Sequence, residues 1–153
     1  MNQTDPSTPF GPRLRVLLLD DDAFLLSVLA DMLGDFGNVE VLCETDAKRA
    51  LQTLAAVAPA VLVCDLSMPD MDGIEFMQAA AAAGFKGGVV LLSGMDDGVR
   101  RSAERLARAH GLHVLGAFQK PISPAELRAA LASLLVPAAA DANLYNVTTL
   151  SGK

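Results

Sequence analysis

Five short runs of apolar residues constrain the fold of this chain more than any other feature. They are residues 15–20, 39–44, 60–65, 88–94 and 113–118. Each run has the length of a strand and is too short for a buried helix. Because most of them show no alternation of apolar and polar residues, they are predicted to be strands covered on both faces, as in parallel sheets.

The stretches between these runs have the spacing of amphipathic helices, with apolar residues at intervals of three and four. The predicted helices are residues 23–33, 73–84, 98–110 and 123–135, with a fifth between the N-cap candidate Asp46 and Pro59. Ser123, Pro124 and Glu126 have the pattern of a capping box ahead of the last helix. Five strands that alternate with five helices predict an open, doubly wound α/β sheet with helices on both faces.

The composition excludes several classes of protein. The formal charge of −6 argues against broad binding of nucleic acids, and no apolar run approaches the roughly 18 residues of a membrane span. Residues 1–13 do not resemble a signal peptide, so a cytoplasmic protein is expected. These residues are predicted to be a flexible segment and residues 137–153 a linker or tail, which leaves one domain at 14–136. Cys43 and Cys64 lie inside apolar runs and are expected to be buried free thiols.

Polar residues with a common chemistry lie at the ends of four of the predicted strands or just after them. The first strand ends in Asp20, Asp21 and Asp22, the third in Asp65 and the fourth in Ser93, and Lys120 follows the fifth. In open α/β sheets, ligands bind beyond the carboxyl ends of the strands, where these side chains would meet. Clustered carboxylates favour a hard cation such as Mg²⁺, with Mn²⁺ as an alternative. An aspartate can also be the nucleophile in phosphoryl transfer, with a lysine and a hydroxyl to bind the phosphoryl oxygens.

Some polar residues have a simpler interpretation. Asp22 lies at the start of the first predicted helix, where a carboxylate stabilises the helix N-terminus. Asp70 and Asp72 are expected to be turn residues. His110 and His113 flank a glycine and are expected on the surface. These five residues are therefore not assigned as metal ligands.

Four motifs together resemble the receiver domain of bacterial two-component response regulators, a CheY-like domain. The motifs are RVLLLDDDAF, VLVCDLSMPDMDGIEF, VVLLSG and QKPI, and the resemblance covers roughly residues 14–135. The resemblance implies a flavodoxin-like, three-layer α/β/α fold whose five parallel strands lie in the order 2-1-3-4-5. It also implies that Asp65 is the phospho-acceptor, and that Asp20, Asp21, Asp65 and the backbone carbonyl of Ser67 hold Mg²⁺.

The same resemblance assigns the residues that respond to phosphorylation. Ser93 corresponds to the switch hydroxyl and Lys120 to the lysine of the site, whose bond to Pro121 is often cis in the family. The family commonly has Tyr or Phe at the position of Ala117, whereas the aromatic residue here is Phe118. Either the strand is shifted by one residue, which would turn the side chain to the other face, or signalling uses another contact.

The implied function is a phosphorylation switch, and not an enzyme beyond its own phosphorylation and dephosphorylation. A sensor histidine kinase or phosphotransfer protein would phosphorylate Asp65, and the altered domain would signal to an output domain or protein. Residues 105–123 resemble receivers fused to EAL-type cyclic-di-GMP phosphodiesterases, which makes such an enzyme one candidate output. A homodimer through the face of helix 4, strand 5 and helix 5 is a further expectation, without direct contacts to nucleic acid or membrane. A phosphohydrolase that forms an aspartyl phosphate and a phosphorylation-independent interaction module remain as alternatives.

Overall fold

A computed structural model describes residues 13–68, 73–94 and 97–135, and in these residues five parallel strands form one sheet. The strands are β1 (Leu14–Leu19), β2 (Val39–Glu44), β3 (Val61–Asp65), β4 (Gly88–Ser93) and β5 (His113–Gln119). Their order is β2-β1-β3-β4-β5, which confirms the predicted doubly wound arrangement. The predictions for the two terminal segments and for Asp70 and Asp72 fall outside the described residues.

Helices connect the strands and cover both faces of the sheet. They are α1 (Ala23–Gly34), α2 (Ala47–Val57), α3 (Gly73–Ala82), α4 (Asp97–Ala109), α5 (Pro124–Ala130) and α6 (Ala132–Leu135). The sequence predicts five helices, whereas the described residues contain six. The last predicted helix is interrupted at Leu131, whose ψ of 5° is not helical, although its side chain is fully buried. In the described part of the chain, every helix is too short or too polar to cross a bilayer.

Each strand packs against two separate groups of helices because its side chains alternate between the two faces of the sheet. On one face, Leu17 and Leu19 of β1 join Phe76 and other buried residues of α2, α3 and α4, which together form the α2–α4 core. On the other face, Val16 and Leu18 join the buried residues of α1 and α5, which form the α1–α5 core. Every residue of β3 and β4 is buried. Burial on both faces explains why these two strands carry no polar residue before their last positions, Asp65 and Ser93.

The start of α5 follows the predicted capping rules. The Ser123 hydroxyl accepts a hydrogen bond from the Glu126 N–H at 3.1 Å, and the Glu126 carboxylate accepts one from the Ser123 N–H at 2.9 Å. This reciprocal pair confirms the capping box. Asp46 likewise caps α2, since its carboxylate accepts a hydrogen bond from the Arg49 N–H at 3.0 Å. These two caps fix where α2 begins after β2 and where α5 begins after β5.

The prediction for the two cysteines is right for one residue and wrong for the other. Both are free thiols, but Cys64 in β3 is buried whereas Cys43 in β2 is exposed. The reason is the position of β2 at the edge of the sheet, where the helices cover it only partly. Burial raises the pKa of the Cys64 thiol, and the nearby Asp65 adds to the shift. Cys64 is therefore an unreactive core residue.

The contact between Gly73 and Leu66 fixes the start of α3 against the end of β3. A Cβ atom at Gly73 would lie 2.5 Å from the Cα of Leu66. Because the clashing atom belongs to the backbone, we expect Gly73→Ala to lower the free energy of unfolding by about 1–3 kcal/mol. Urea denaturation measures this loss. Gly34→Ala is the matched control, since an added Cβ there meets nothing within 4 Å. An equal fall in the free energy of unfolding of the two variants would contradict the role given to the contact between Gly73 and Leu66.

Candidate functional site

Asp20 and Asp65 lie side by side at the carboxyl end of the sheet. Asp65 is the last residue of β3, and Asp20 directly follows β1, which pairs with β3 so that Leu19 is opposite Cys64. Asp20 extends the pairing with β2, because its N–H donates to the carbonyl of Glu44 at 3.2 Å. Only 1% of each aspartate is exposed, although carboxylates are rarely buried without a partner. The sheet therefore brings two buried acidic groups together.

Lys120 places a positive charge between the two aspartates. Its Nζ lies 2.8 Å from Asp20 Oδ2 and 3.1 Å from Asp65 Oδ1. The lysine directly follows β5, which is separated from β3 by β4, so its long side chain extends past the end of β4 to reach the acids. Its backbone N–H donates to the Ser93 carbonyl at 2.8 Å. This hydrogen bond ties the chain after β5 to the last residue of β4.

Burial and charge together set the protonation of this group. Burial raises the pKa of Asp65; the Ser67 N–H and the Lys120 ammonium oppose the shift, and the charge of Asp20 adds to it. Burial lowers the pKa of Lys120, but the hydrogen bond to Asp20 and the charges of both aspartates outweigh this effect, so the pKa is raised. Lys120 is therefore charged at neutral pH. One ammonium facing two carboxylates leaves an excess of negative charge that a cation can neutralise.

The other two aspartates of the triplet have different environments. Asp21 is exposed, in contrast to Asp20. Asp22 is the N-cap of α1, and its Oδ1 accepts hydrogen bonds from the N–H groups of Phe24 at 3.0 Å and Leu25 at 3.3 Å. Its own N–H donates to Asp20 Oδ1 at 2.8 Å, which helps to hold that carboxylate. The prediction that Asp22 belongs to the helix start is confirmed.

The carboxylates of Asp20, Asp21 and Asp65 are close enough to share a metal ion. One oxygen from each residue lies within 4.8 Å of the other two. Asp65 Oδ2 is buried and has no hydrogen-bond partner among the described residues, a condition that is costly for a carboxylate oxygen. A hard divalent cation would relieve this cost, and oxygen ligands of this kind suit Mg²⁺. The donor set therefore fits a magnesium ion.

Ser67 and Ser93 lie beside this acidic cluster. The Ser67 N–H donates to Asp65 Oδ1 at 3.0 Å, which fixes the carboxylate against the chain that follows it. Ser93 is fully buried at the end of β4. The predicted site residues thus lie together at the carboxyl end of the sheet. His110 and His113 are exposed near the amino end of the sheet, where β5 begins. This is the surface location that the sequence predicts.

A bulge in β5 determines which faces Ala117 and Phe118 occupy. One extra residue, Leu115, interrupts the pairing of β5 with β4, and such an insertion reverses the faces of the residues after it. Beyond it, Ala117 packs against the α2–α4 core and Phe118 against the α1–α5 core. The ring of Phe118 covers Gly116, where an added Cβ would lie 2.7 Å from the ring. The aromatic and the small side chain therefore face opposite sides of the sheet.

Sequence reasoning missed two properties of the site. It grouped Asp20 with Asp21, although one is buried and the other exposed. It also predicted that Lys120 lies near the site, but it did not predict that the ammonium forms ion pairs with both Asp20 and Asp65. The first property has a signal in the sequence, because Asp20 directly follows an unbroken apolar run and can continue the strand.

Comparisons with known proteins agree on the class of domain. A family model for the response regulator receiver domain matches residues 16–132. The cyclic di-GMP phosphodiesterase RocR of Pseudomonas aeruginosa is 31% identical over 119 residues, which are 77% of this chain and 30% of that protein. A protein-glutamate methylesterase/protein-glutamine glutaminase of Nocardioides sp. is 34% identical over 83 residues, which are 54% of this chain and 23% of that protein. The chain thus spans less than a third of either relative.

Solved structures agree with this result. A response regulator from Colwellia psychrerythraea has a TM-score of 0.68 and 37% sequence identity, and the match covers 79% of this chain and 95% of that chain. The chemotaxis protein CheY4 of Vibrio cholerae, at 23% identity, has the same fold with a TM-score of 0.66, over 79% of this chain and 98% of its own. Together with the family match over residues 16–132, these similarities show that the chain belongs to the response regulator receiver domain family of two-component signalling.

Proposed function

We propose that this domain accepts a phosphoryl group on Asp65 from a phosphohistidine of a sensor histidine kinase or phosphotransfer protein. The observation that carries the proposal is the pair of buried carboxylates, Asp20 and Asp65, with the Lys120 ammonium within 3.1 Å of both. Buried charges of this kind seldom increase stability, because desolvation offsets their attraction. A site that binds a metal ion and a phosphoryl group accounts for their presence.

In the proposed reaction, a carboxylate oxygen of Asp65 attacks the phosphorus atom of the phosphohistidine. A bond forms between that oxygen and phosphorus while the bond from phosphorus to the imidazole nitrogen breaks. The imidazole leaves with the bonding electrons and takes up a proton from solvent. The Ser67 N–H and Lys120 Nζ, at 3.0 Å and 3.1 Å from Asp65 Oδ1, hold the nucleophile in one orientation.

The ligands that we assign to Mg²⁺ are Asp20, Asp21, Asp65 and the backbone carbonyl of Ser67. When bound, the ion offsets negative charge on the phosphoryl oxygens. Mn²⁺ accepts the same oxygen ligands and is expected to replace it. The Lys120 ammonium and the Ser93 hydroxyl bind the product, whose phosphoryl group carries about −1.5 to −2 charges at neutral pH.

The same residues would turn phosphorylation into a conformational signal. The backbone hydrogen bond between Lys120 and Ser93, at 2.8 Å, links the ends of β4 and β5. Movement of either residue towards the phosphoryl group would therefore shift both strand ends. We assign Ala117 and Phe118 to this switching region, where they lie on opposite faces. The response is a shift in population between two states.

The output of the switch is also a proposal. We place the receiver at residues 14–136, with 137–153 as a linker or tail, acting in the cytoplasm on an attached or separate output domain. A relative that is a cyclic di-GMP phosphodiesterase supports an EAL-type phosphodiesterase as one candidate. The surface of α4, β5 and α5 is the candidate for a homodimer.

Labelling with a small phosphodonor tests this function and separates it from the alternatives. With acetyl phosphate and Mg²⁺, we expect at most one phosphoryl group per chain, stable in acid and labile in alkali. Repeated turnover of small phosphate esters would instead indicate a phosphohydrolase. No labelling, with a melting temperature that Mg²⁺ and beryllofluoride leave unchanged, would indicate an interaction module.

We expect Mg²⁺ alone to raise the melting temperature, because it binds the folded site and not the unfolded chain. At 100 times its dissociation constant, the stabilisation would be about 2.7 kcal/mol. Asp21→Asn should weaken this response, since it removes an exposed ligand. Asp22→Asn should retain it, because asparagine is also a good N-cap. Thermal unfolding at several Mg²⁺ concentrations measures the difference, and equal responses of the two variants would contradict the ligand set.

A further inference from the structure

Helix α4 concentrates positive charge in a chain whose formal net charge is −6. Four of the twelve lysine and arginine residues lie in this one helix, and all four are arginines. Arg101, Arg105 and Arg108 are exposed, and their spacing of four and three residues places them on one face of the helix. We call these three residues the arginine face of α4.

The acidic residues of the same helix neutralise this face only in part. Asp97 Oδ2 lies 4.0 Å from Arg101 Nη2, at the limit of an ion pair. Glu104 Oε2 lies 2.8 Å from Arg108 Nη2. Arg105 has no ion pair with any residue that the structure describes. The middle of the face therefore carries an uncompensated positive charge.

The arginine face is unfavourable for the helix by itself. Arg105 lies four residues after Arg101 and three before Arg108, and like charges at these spacings destabilise a helix. Lysine would supply the same charge, but the planar guanidinium of arginine can bind a carboxylate through two parallel hydrogen bonds. Both properties indicate a surface that binds an anion and does not merely keep the domain in solution.

The size of the face and the charge of the remaining chain determine which anion fits. Arg101 and Arg108 are about 10 Å apart along the helix axis, so the face accommodates only a few carboxylates. Because α4 has a charge of +2, with four arginines against Asp97 and Glu104, the remainder of the chain carries −8. A long polyanion such as a nucleic acid would be repelled beyond the face. A short acidic segment of a protein avoids this repulsion.

We propose that the arginine face of α4 binds an acidic segment of a partner protein, whose carboxylates pair with Arg101, Arg105 and Arg108. A helix with acidic residues four positions apart fits, because its carboxylates repeat along the axis at the same interval as Arg101 and Arg105. The charges steer the segment to α4 and fix its orientation. This binding does not require phosphorylation of Asp65, so the proposal stands independently of the phosphoryl reaction.

Fluorescence anisotropy with a labelled helical peptide tests the proposal. The peptide carries glutamates at positions i, i+4 and i+7, and a second peptide carries glutamines at the same positions. At low salt we expect the chain to bind the glutamate peptide, with an affinity that falls as the salt concentration rises, because exposed charges are screened. The double substitution Arg101→Gln and Arg105→Gln should weaken binding about tenfold, since it removes two exposed ion pairs.

The double substitution Lys48→Gln and Arg49→Gln is the matched control, because it removes the same charge from exposed positions of α2. Its affinity for the glutamate peptide should stay within about twofold of the unsubstituted chain. Equal affinities of the two double variants, or equal binding of the two peptides, would overturn the proposal. Amide NMR spectra of both variants establish that a loss of binding does not come from unfolding.

Two further measurements separate other occupants of α4 from an acidic protein segment. Sedimentation of the chain alone detects a second copy, and we expect any self-association to be equal with and without Arg101→Gln and Arg105→Gln. A dimer that this variant loses would overturn the proposal. Tighter binding of a single-stranded oligonucleotide than of the glutamate peptide, with loss of that binding in the same variant, would also overturn it.

Discussion

Asp65→Asn should abolish phosphorylation of the domain by acetyl phosphate, with a fall of at least about 100-fold in the rate of labelling. The reason is that an amide cannot form the acyl phosphate, so the covalent step is lost and not merely slowed. Phosphoryl incorporation with Mg²⁺ present measures the effect. Asp22→Asn is the matched control, because it makes the same chemical change at an exposed N-cap. Comparable labelling of Asp65→Asn and the control would contradict the assignment.

The same substitution should leave the fold intact and, without Mg²⁺, more stable. Burial raises the pKa of Asp65 above its value in the unfolded chain. A carboxyl group with a raised pKa contributes stability at low pH that is lost as the pH rises through the folded-state pKa. At neutral pH the ionised group therefore destabilises the fold, and asparagine removes its charge with little change of shape. A higher urea midpoint for Asp65→Asn would show that its loss of labelling is not caused by unfolding.

Lys120→Met should destabilise the domain by about 2–4 kcal/mol in the absence of Mg²⁺. The substitution leaves Asp20 and Asp65 without the ammonium that faces both of them, and removal of one partner from a buried ion pair is strongly destabilising. This loss is smaller than the roughly 3–5 kcal/mol expected for a fully buried pair, because 23% of the lysine side chain is exposed. Urea denaturation at neutral pH measures the change.

Added Mg²⁺ should recover much of this loss, because the ion replaces the missing positive charge between the carboxylates. Lys48→Met is the control, since Lys48 is an exposed residue of α2 and such substitutions usually change stability by less than about 0.5 kcal/mol. The interpretation of Lys120 is wrong if the two variants have the same urea midpoint, or if Mg²⁺ stabilises neither of them.

The alternation of strands and helices along the chain could be predicted because it depends on hydrophobic periodicity, which is visible in the sequence. The break at Leu131 could not, because its buried side chain continues the apolar pattern across the interruption. The bulge at Leu115 depends on how β5 pairs with β4, and a single sequence does not reveal the register of strands far apart in the chain. The exposure of Cys43 follows from the edge position of β2, which local composition does not show.

The site could be predicted in part for a related reason. Residues at the carboxyl ends of parallel strands converge, so the positions of Asp20, Asp65 and Lys120 directly after or at the ends of apolar runs predict a shared site. The interactions within it depend on distances that spacing does not give. The double ion pair of Lys120 and the unpaired Oδ2 of Asp65 are of this kind. The unpaired oxygen supports our proposal of a cation at this site, and the lysine supports our proposal that a phosphoryl group binds there.

Borohydride reduction of the phosphorylated protein is the most direct test of Asp65 as the phospho-acceptor. The reagent reduces an acyl phosphate to an alcohol, so a phosphorylated aspartate becomes homoserine and can be located by peptide mass spectrometry. We expect homoserine at position 65 only when both the phosphodonor and Mg²⁺ were present. Homoserine at Asp20 or Asp21, or a phosphoryl group found on His110 or His113 with position 65 unmodified, would contradict the proposed function.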